Sequence, residues 1–253
     1  MNNLTLLNGH TAIVTGAGSG IGAASAMVLA SRGASVALFD INFVGAKEVA
    51  ASIKETGGIA TAHEVDVTDE AAVRSAIKTI FDSSGRIDIL VNAVGITGPT
   101  GIPTHELALS AFKSTFEVNF FGAVSVQSAV TPYMLQANYG RIVHIASISG
   151  KEGNPNMTPY SSSKAAMIGM VKASAKELAK HGVTINAIAP AVVRTPINDK
   201  TTPEVLEYML SRIPMGRMGE PSEVGELVAF IASPACSFTT GFIFDLSGGR
   251  ATY

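Results

Sequence analysis

The chain has 253 residues, of which 47% are hydrophobic and only 15% are charged, and its formal net charge is −2. A chain with so small a charge has no excess of cations to neutralise phosphates, so we expect no nucleic-acid partner. Its single cysteine, Cys236, excludes an intrachain disulfide and is expected to be a small packing residue, and no His/Cys cluster has the spacing of metal ligands.

The first residues, Met1–Gly9, have neither the charged region nor the apolar core of a secretory signal. No apolar run approaches the ~20 residues that a membrane span requires. We therefore expect no membrane partner and a cytoplasmic location.

Short runs rich in Val and Ile alternate along the chain with stretches of helical period. The predicted strands are His10–Thr15, Ser35–Asp40, Ile59–Glu64, Ile87–Val91, Arg141–Ser147, Thr184–Ala189 and Phe242–Leu246. The clearest helical stretches are Gly20–Arg32, Asp69–Ser84 and Ser110–Ala137. This alternation implies right-handed crossovers and a parallel sheet. No linker or repeat divides the chain, so we predict one domain over residues 1–253.

One segment, at about residues 191–218, is longer than a crossover between the last two strands requires. It contains Pro196, Pro203 and Pro214, with a short helix predicted over Pro203–Arg212. Because long insertions at the carboxyl ends of strands often cover sites, we interpret it as a substrate lid. The alternative is a rigid surface excursion.

A glycine-rich loop joins the first strand to the first helix, over Thr15–Gly22. Glycines allow a tight turn and a close approach to a pyrophosphate, and the following helix offers free N–H groups. The position between a first strand and a helix is the context that this motif requires. The predicted cofactor-binding residues of the loop are Gly16, Ser19, Gly20, Ile21 and Gly22.

Asp40 ends the next strand, eighteen residues after Gly22. A carboxylate there accepts hydrogen bonds from the hydroxyls of an adenosine ribose and repels a 2′-phosphate. Ser19 and the residues after Asp40, Ile41 and Asn42, supply no cation for such a phosphate. We therefore predict NAD(H) rather than NADP(H); the alternative is that Asp40 is a solvated acid at a strand end.

Further polar or small residues follow the third and fourth strands. Asp66 and Val67 follow one of them, and Asn92 and Gly95 follow the other. Open α/β sheets bind ligands at these carboxyl ends, so we expect all four residues to contact the cofactor. On spacing alone they would be ordinary turn residues.

Tyr160 and Lys164 are four residues apart, which on a helix places both side chains on one face. A nearby cation favours phenolate, so we expect the pKa of Tyr160 to be lowered. Tyr160 would then take a proton from an alcohol or give one to a carbonyl. By itself the pair is weak evidence, because most such pairs are surface neighbours.

Two more residues strengthen the prediction. Ser147 ends the fifth predicted strand, thirteen residues before Tyr160, and its hydroxyl can hold a substrate oxygen in line with that tyrosine. Asn119 is a polar amide among apolar residues inside a predicted helix. It is either a helix-distorting structural residue or part of a proton relay through Lys164, and the two roles are compatible.

With these residues identified, the sequence resembles the compact short-chain dehydrogenase/reductases over nearly its whole length. The segments that carry the resemblance are Thr15–Gly22, Asp66, Asn92–Gly95, Asn119, Ser147, Tyr160, Lys164, Pro190–Thr195 and Ser247–Gly249. The resemblance implies a single doubly wound Rossmann fold with a seven-stranded parallel sheet and helices on both faces. It also implies NAD or NADP as cofactor and a homotetramer with two-fold contacts through long helices, here Ser110–Ala137 and Thr158–His181.

The same resemblance implies roles for individual residues. Asn119, Ser147, Tyr160 and Lys164 correspond to a catalytic tetrad, and Tyr160 and Lys164 also contact the cofactor. The segment from Pro190, with Val193 and Thr195, corresponds to the one that holds the nicotinamide carboxamide. Three positions depart from the family's usual pattern, namely Ala93, Ala191 and Ser247, and they affect cofactor support and C-terminal packing rather than the tetrad.

The expected substrate is a small polar molecule. Ser149, Lys151, Asn154 and Asn156 lie on one polar loop, and Arg194 lies at the root of the lid. Buried polar groups select substrates that satisfy them, which favours a polyol or a sugar acid. The loop resembles that of bacterial dehydrogenases acting on 2-keto-3-deoxy sugar acids. The alternative is an apolar pocket, formed by Ile96, Met157, Val192 and Met215.

Two other functions remain open at this stage. The chain also resembles 3-oxoacyl carrier-protein reductases, although those enzymes usually prefer NADP(H) and need basic residues to dock an acidic carrier. A protein of another class, a non-catalytic sensor of NAD(H), would use the same fold without turnover.

Overall fold

The computed structural model describes residues 7–196, 203–251 and 253, apart from the side chains at 203–205. Its strands are β1 (Thr11–Thr15), β2 (Ser35–Asp40), β3 (Ile59–Glu64), β4 (Ile89–Asn92), β5 (Gly140–Ile145), β6 (Val183–Pro190) and β7 (Ile243–Leu246). Its helices are α1 (Gly20–Ser31), α2 (Phe43–Glu55), α3 (Glu70–Ser84), α4 (Leu109–Phe116), α5 (Gly122–Ala137), α6 (Ser149–Glu152), α7 (Thr158–Leu178), α8 (Pro203–Ser211) and α9 (Pro221–Ile231).

The seven strands form one sheet in the order β3-β2-β1-β4-β5-β6-β7, and every neighbouring pair is parallel. The chain builds outward from β1 to β3 and then returns to place β4 on the other side of β1. A crevice therefore opens above the carboxyl ends of β1 and β4, which is where open parallel sheets bind ligands. The predicted doubly wound fold is confirmed.

Two apolar cores cover the two faces of the sheet, because neighbouring residues of a strand point to opposite faces. On β1, Val14 packs into the core that includes Leu29 of α1 and Val228 of α9. Ile13 packs into the other core, with Ile77 of α3 and Met167 of α7. Both faces of the strand are thus buried, and the strands read as nearly continuous apolar runs.

The predicted element boundaries needed two corrections that affect the site. Strand β5 ends at Ile145, so Ser147 lies in the turn beyond it rather than at its last position. The stretch predicted as one helix, Ser110–Ala137, is interrupted by a wide π-helical turn over Glu117–Phe121. The apolar pattern is helical on both sides of this turn, and the one added residue shifts its phase without ending it, so the sequence pattern predicts a single helix.

Candidate active site

The glycine loop packs without room for side chains at two of its positions. A Cβ on Gly22 would collide with the carbonyl oxygen of Gly16. Gly16 has a φ of +65°, and a Cβ there would lie 3.0 Å from the backbone of Ala93. The loop therefore lies directly against the chain that leaves β4. The side chain of Ser19, the N-cap residue of α1, makes no capping hydrogen bond, so N–H groups of the first turn are available to a ligand.

A cleft of about 490 Å³ lies in front of this helix terminus, within the range of roughly 300–1000 Å³ typical of ligand sites. Ten of the predicted cofactor-binding residues line it, namely Gly16, Ser19, Gly20, Ile21, Gly22, Asp40, Asp66, Val67, Gly95 and Thr195. The uncapped helix N-terminus suits a pyrophosphate, and the side chains in the cleft fit the nucleotide half of a dinucleotide.

Asp40 is held in place by the loop that it faces. Its Oδ2 accepts a hydrogen bond from the backbone N–H of Gly18 at 2.8 Å, and its Oδ1 accepts one from Asn42 at 2.7 Å. The carboxylate is thus fixed at the end of β2, where it lines the cleft beside the exposed side chain of Ile41. This arrangement suits an unphosphorylated ribose, because a phosphate there would meet a fixed negative charge.

Asn92 is the one predicted cofactor residue that lines neither this cleft nor the smaller cavity beside it, which contains Ser147, Tyr160 and Lys164. Its side chain is 1% exposed, and its Oδ1 accepts a hydrogen bond from Thr15 Oγ1 at 2.8 Å. Asn92 therefore joins β4 to the start of the glycine loop, as a support beneath the cleft. Its Nδ2 has no hydrogen-bond partner among the described residues.

A smaller cavity of about 160 Å³ adjoins the cleft and contains the predicted reaction centre. Ser147, Tyr160 and Lys164 all line it, together with Pro190 and Val193 from the end of β6 and the segment after it. The two spaces share Ile21, Ala93, Gly95 and Thr195. A molecule in the cleft can therefore reach the serine, the tyrosine and the lysine.

Asn119 sits in the π-helical turn and is fully buried. Its Oδ1 accepts a hydrogen bond from the N–H of Ile96 at 2.8 Å, and its Nδ2 donates to the Ile96 carbonyl at 2.9 Å and to Ser163 Oγ at 3.0 Å. A Cβ on Gly95 would lie 3.4 Å from Asn119 Oδ1 and 3.3 Å from Lys164 Nζ. The amide thus clamps the chain after β4 beside the lysine, and the predicted helix distortion is present.

Burial governs the protonation of both site groups. Lys164 is 3% exposed and donates from Nζ to the carbonyl of Ile145 at 2.8 Å, and burial lowers its pKa to about 8. Burial raises the pKa of the Tyr160 phenol, while the nearby Ser147 hydroxyl opposes that rise. The expected lowering of the Tyr160 pKa is therefore absent in the chain alone, since desolvation outweighs the opposing hydrogen bond with Ser147. The Lys164 ammonium lies 5.9 Å from the centre of the tyrosine ring.

The buried lysine predicts a specific dependence of stability on pH. Its folded pKa of about 8 lies below the ordinary 10.5, so between these values the unfolded chain holds more protons and stability rises with pH. Relative to Lys164→Met, the free energy of unfolding of the wild type should rise by about 2 kcal/mol from pH 7 to pH 10. Urea denaturation of both proteins at the two pH values measures the difference, and parallel behaviour would contradict it.

The predicted substrate residues separate into two groups. Ser149 and Asn154 line the cavity, where Asn154 Nδ2 donates to Ser149 Oγ at 2.6 Å. Lys151, Asn156 and Arg194 do not line it. The Nζ of Lys151 is paired with Asp245 at 2.9 Å, and Arg194 is paired with Glu220 at 3.1 Å on the exposed surface. In this structure, neither cation lines the pocket in which it was expected, because each one pairs with an acidic residue that lies far away in the sequence.

The structure agrees only in part with the alternative of an apolar pocket. Met157 and Val192 line the cavity, whereas Ile96 lines the cofactor cleft and Met215 is exposed. One polar residue that the sequence did not suggest, Arg250, also lines the cavity. It belongs to no motif, and only its place after the Ser247–Gly249 segment could have drawn attention to it.

The root of the predicted lid is well anchored. Val193 bridges to Gly219, and Arg194 donates its N–H to the Gly219 carbonyl at 2.9 Å. Thr195 lies over the glycine loop, since a Cβ on Gly20 would be 3.2 Å from its Cγ2. Met209 of α8 lines the cavity, but residues 197–202 of the lid lie outside the described residues.

The sequence also led to expectations about the cysteine, about metal sites and about membrane spans. Cys236 is buried, and burial raises the pKa of its thiol. Within residues 7–196 and 203–251, no cluster of three His, Cys, Asp or Glu side chains could hold a metal ion. In the same part of the chain, no helix is long and apolar enough to span a membrane.

Comparison with known proteins gives consistent matches over almost the whole chain. A family model described as enoyl-(acyl carrier protein) reductase, of the short-chain dehydrogenase/reductase type, matches residues 16–251. A 2-dehydro-3-deoxy-L-rhamnonate dehydrogenase (NAD⁺) of Sphingomonas sp. strain SKA58 is 44% identical, over 97% of this chain and 96% of that protein. A 3-oxoacyl-(acyl-carrier-protein) reductase of Thermotoga maritima is 36% identical, over 96% of this chain and 98% of that protein.

Among solved structures, the chain is similar to a 7α-hydroxysteroid dehydrogenase complexed with NADH and 7-oxo glycochenodeoxycholic acid. The TM-score is 0.93 and the identity 35%, with 98% of this chain and 97% of that chain covered. The relatives therefore agree in fold and differ widely in the molecules that their names specify.

Proposed function

Because the chain belongs to the short-chain dehydrogenase/reductase family, we propose that it is an NAD-dependent dehydrogenase that oxidises a secondary alcohol of a small sugar acid or polyol. The observation that carries the proposal is the shared wall between the cofactor cleft and the cavity of Ser147, Tyr160 and Lys164. NAD, when bound, supplies the acceptor for the hydride.

The chain's own residues hold the substrate and move the proton. Ser147 Oγ accepts a hydrogen bond from the N–H of Ser149 at 3.1 Å, and its own hydroxyl hydrogen, which faces Tyr160 in the chain alone, would turn to a substrate oxygen. Tyr160, beside it, takes the alcohol proton at its phenolic oxygen. Tyr160 must be a phenolate to receive this proton and becomes a phenol on receiving it. The ammonium of Lys164 favours that phenolate form, and Asn119 keeps the chain near Lys164 in place.

NAD is favoured over NADP by the fixed carboxylate of Asp40 and by the name of the sugar-acid relative, which specifies NAD⁺. A small substrate is favoured by the size of the cavity, which at about 160 Å³ is below the roughly 300 Å³ of common drug-sized sites. The amide of Asn154 and the hydroxyl of Ser149 favour a polar molecule. The similarity to a 2-dehydro-3-deoxy sugar-acid dehydrogenase agrees with these features.

A second candidate is a 3-oxoacyl carrier-protein reductase, which the similarity to the Thermotoga maritima enzyme favours. The net charge of −2 and Asp40 count against it, because an acidic carrier requires a basic docking surface and such enzymes usually use NADP(H). A third candidate is a non-catalytic sensor of NAD(H). The presence of all four tetrad residues counts against it, namely Asn119, Ser147, Tyr160 and Lys164.

One experiment separates the three readings. Reduction of NAD⁺ is followed by absorbance with a panel of polyols, 3-deoxy sugar acids and 3-hydroxyacyl thioesters, and the expected result is turnover of a sugar acid or polyol. Turnover of only the thioesters would replace the proposal with the carrier-protein reductase. Quenched or shifted NADH fluorescence without turnover of any compound would identify a sensor.

We also propose that the protein is a homotetramer with two-fold contacts. Large apolar side chains remain on its surface, among them Phe121, Phe230, Phe238 and Phe242. Apolar surface of this kind favours assembly. Static light scattering at micromolar concentration should give about four times the 26.1 kDa of the chain, and the mass of a monomer would refute the assembly.

A further inference from the structure

The charged side chains that line the substrate cavity are all positive. Two of its lining residues, Lys164 and Arg250, are cationic, and none of the described residues that line it is acidic. Lys164 lies beside Tyr160 at the reaction centre. Arg250 comes from the chain after β7, and the mechanism above gives it no task.

Arg250 is held firmly in the cavity wall. Its side chain is 4% exposed, and its Nε and Nη2 both donate to Glu152 Oε2, at 3.0 and 2.9 Å. Nη2 also donates to Asn154 Oδ1 at 2.9 Å. The two N–H groups of Nη1 donate to no described residue, so the guanidinium keeps donors for a ligand. A rigid guanidinium with free donors is well suited to a carboxylate.

The partners of Arg250 do not cancel its charge completely. Glu152 is also approached by Arg212, whose Nη2 lies 3.9 Å from the same Oε2. Two guanidinium groups therefore share one carboxylate, so the cluster of Arg250, Arg212 and Glu152 has a net charge of +1, with Arg212 on its exposed side. Nearby Lys151 is neutralised by Asp245 in a pair of its own. The excess charge matches that of one carboxylate group.

Hydrogen bonds join Arg250 to the reaction centre. Arg250 donates to Asn154, Asn154 donates to Ser149 Oγ, and the N–H of Ser149 donates to Ser147 Oγ. A ligand fixed by Arg250 is thus fixed relative to Ser147, the residue that would hold its reacting oxygen. Orientation of this kind lowers the barrier to reaction.

We infer that Arg250 is the specificity-determining residue of the site and binds the carboxylate of the substrate, with Glu152 and Asn154 as its positioning residues. This inference rests on the proposed function and assigns its anionic substrate a binding residue. Arg250 thereby takes the role that the sequence suggested for Lys151 and Arg194, whose charges are neutralised outside the cavity.

The first test measures binding without turnover. Pyruvate, a small keto acid, is added to the protein in excess NADH and the melting temperature is recorded, with neutral acetone as the matched ligand. We expect pyruvate to stabilise the wild type and Arg194→Gln, to stabilise Arg250→Lys less, and not to stabilise Arg250→Gln. The inference would be overturned if pyruvate stabilised Arg250→Gln as much as the wild type. It would also be overturned if pyruvate did not stabilise the wild type at all.

The second test measures selectivity, as the ratio of kcat/KM for a 3-deoxy sugar acid to that for its neutral methyl ester. Arg250→Gln should lower this ratio by about 10- to 100-fold, since a hydrogen bond to a charged group contributes about that much. Arg194→Gln should leave the ratio unchanged. An arginine that only packs the C-terminal segment would alter the two kcat/KM values together and leave their ratio intact.

The two tests can fail separately. If no sugar acid is oxidised but pyruvate binding still depends on Arg250, the substrate class is wrong and the role of Arg250 stands. If a sugar acid is oxidised and Arg250→Gln retains the wild-type ratio, the proposed function stands and the role of Arg250 is wrong.

Discussion

Tyr160→Phe should lower kcat by about 10²–10⁴-fold, the usual contribution of a positioned acid or base. The phenolic oxygen is the atom that takes the alcohol proton, and it lies beside the hydroxyl of Ser147 in the cavity wall. Phenylalanine keeps the ring and its packing but has no oxygen to receive the proton. The cofactor cleft is not altered, because Tyr160 does not line it.

Steady-state rates with the best alcohol of the panel measure the loss, and the stabilisation of the protein by NADH shows that the cleft is intact. Tyr133→Phe provides a matched control, because Tyr133 packs against Phe81, at 4.4 Å between ring centres, and lines neither the cleft nor the cavity. The control should retain full activity. A Tyr160→Phe variant with more than about a tenth of the wild-type rate would show that another group moves the proton.

The second large effect is expected in cofactor choice. Asp40→Ala with Ile41→Arg should convert a preference for NAD(H) into one for NADP(H), changing the ratio of the two kcat/KM values by about 100-fold or more. The substitutions remove a negative charge that a 2′-phosphate would face and add a guanidinium beside it. Ile41 is a suitable position because its side chain is 68% exposed and lines the cleft.

Ile41→Arg alone is the control for this prediction, since it supplies the cation but retains the carboxylate next to it. It should change the preference much less than the double variant does. Asp40 also accepts the N–H of Gly18, so its removal should weaken both cofactors somewhat, and the ratio is the informative quantity. A wild type that prefers NADP(H) would disprove the role given to Asp40.

The fold and the reaction centre could be predicted because their signals are local. Each buried strand reads as a run of apolar residues, and the glycine loop, Asp40 and the Tyr160–Lys164 pair each occupy a few neighbouring positions. Their placement at the carboxyl ends of parallel strands then follows from the topology. For the same reason, the structure brings Ser147, Tyr160 and Lys164 to one cavity as the spacing suggested.

The substrate wall could not be predicted because it depends on pairs that are distant in sequence. Lys151 and Asp245 are separated by 94 positions, and Arg250 and Glu152 by 98. Sequence indicates which loops carry charge, but it does not indicate which charges neutralise each other. Two residues of the polar loop, Ser149 and Asn154, line the cavity, while the cation beside them, Arg250, is one that the sequence did not indicate.

The π-helical turn at Glu117–Phe121 has a consequence for engineering this enzyme. One added residue rotates everything after it by about 100°, so α4 and α5 form one rod whose two halves present different phases of the helical repeat. Val126 and Val130 of α5 can then face the sheet while Asn119 faces the site. A redesign that deletes one residue to regularise this rod would gain an ideal helix and misdirect either the core face or the amide. Stabilising designs should therefore preserve this irregularity as a fixed constraint.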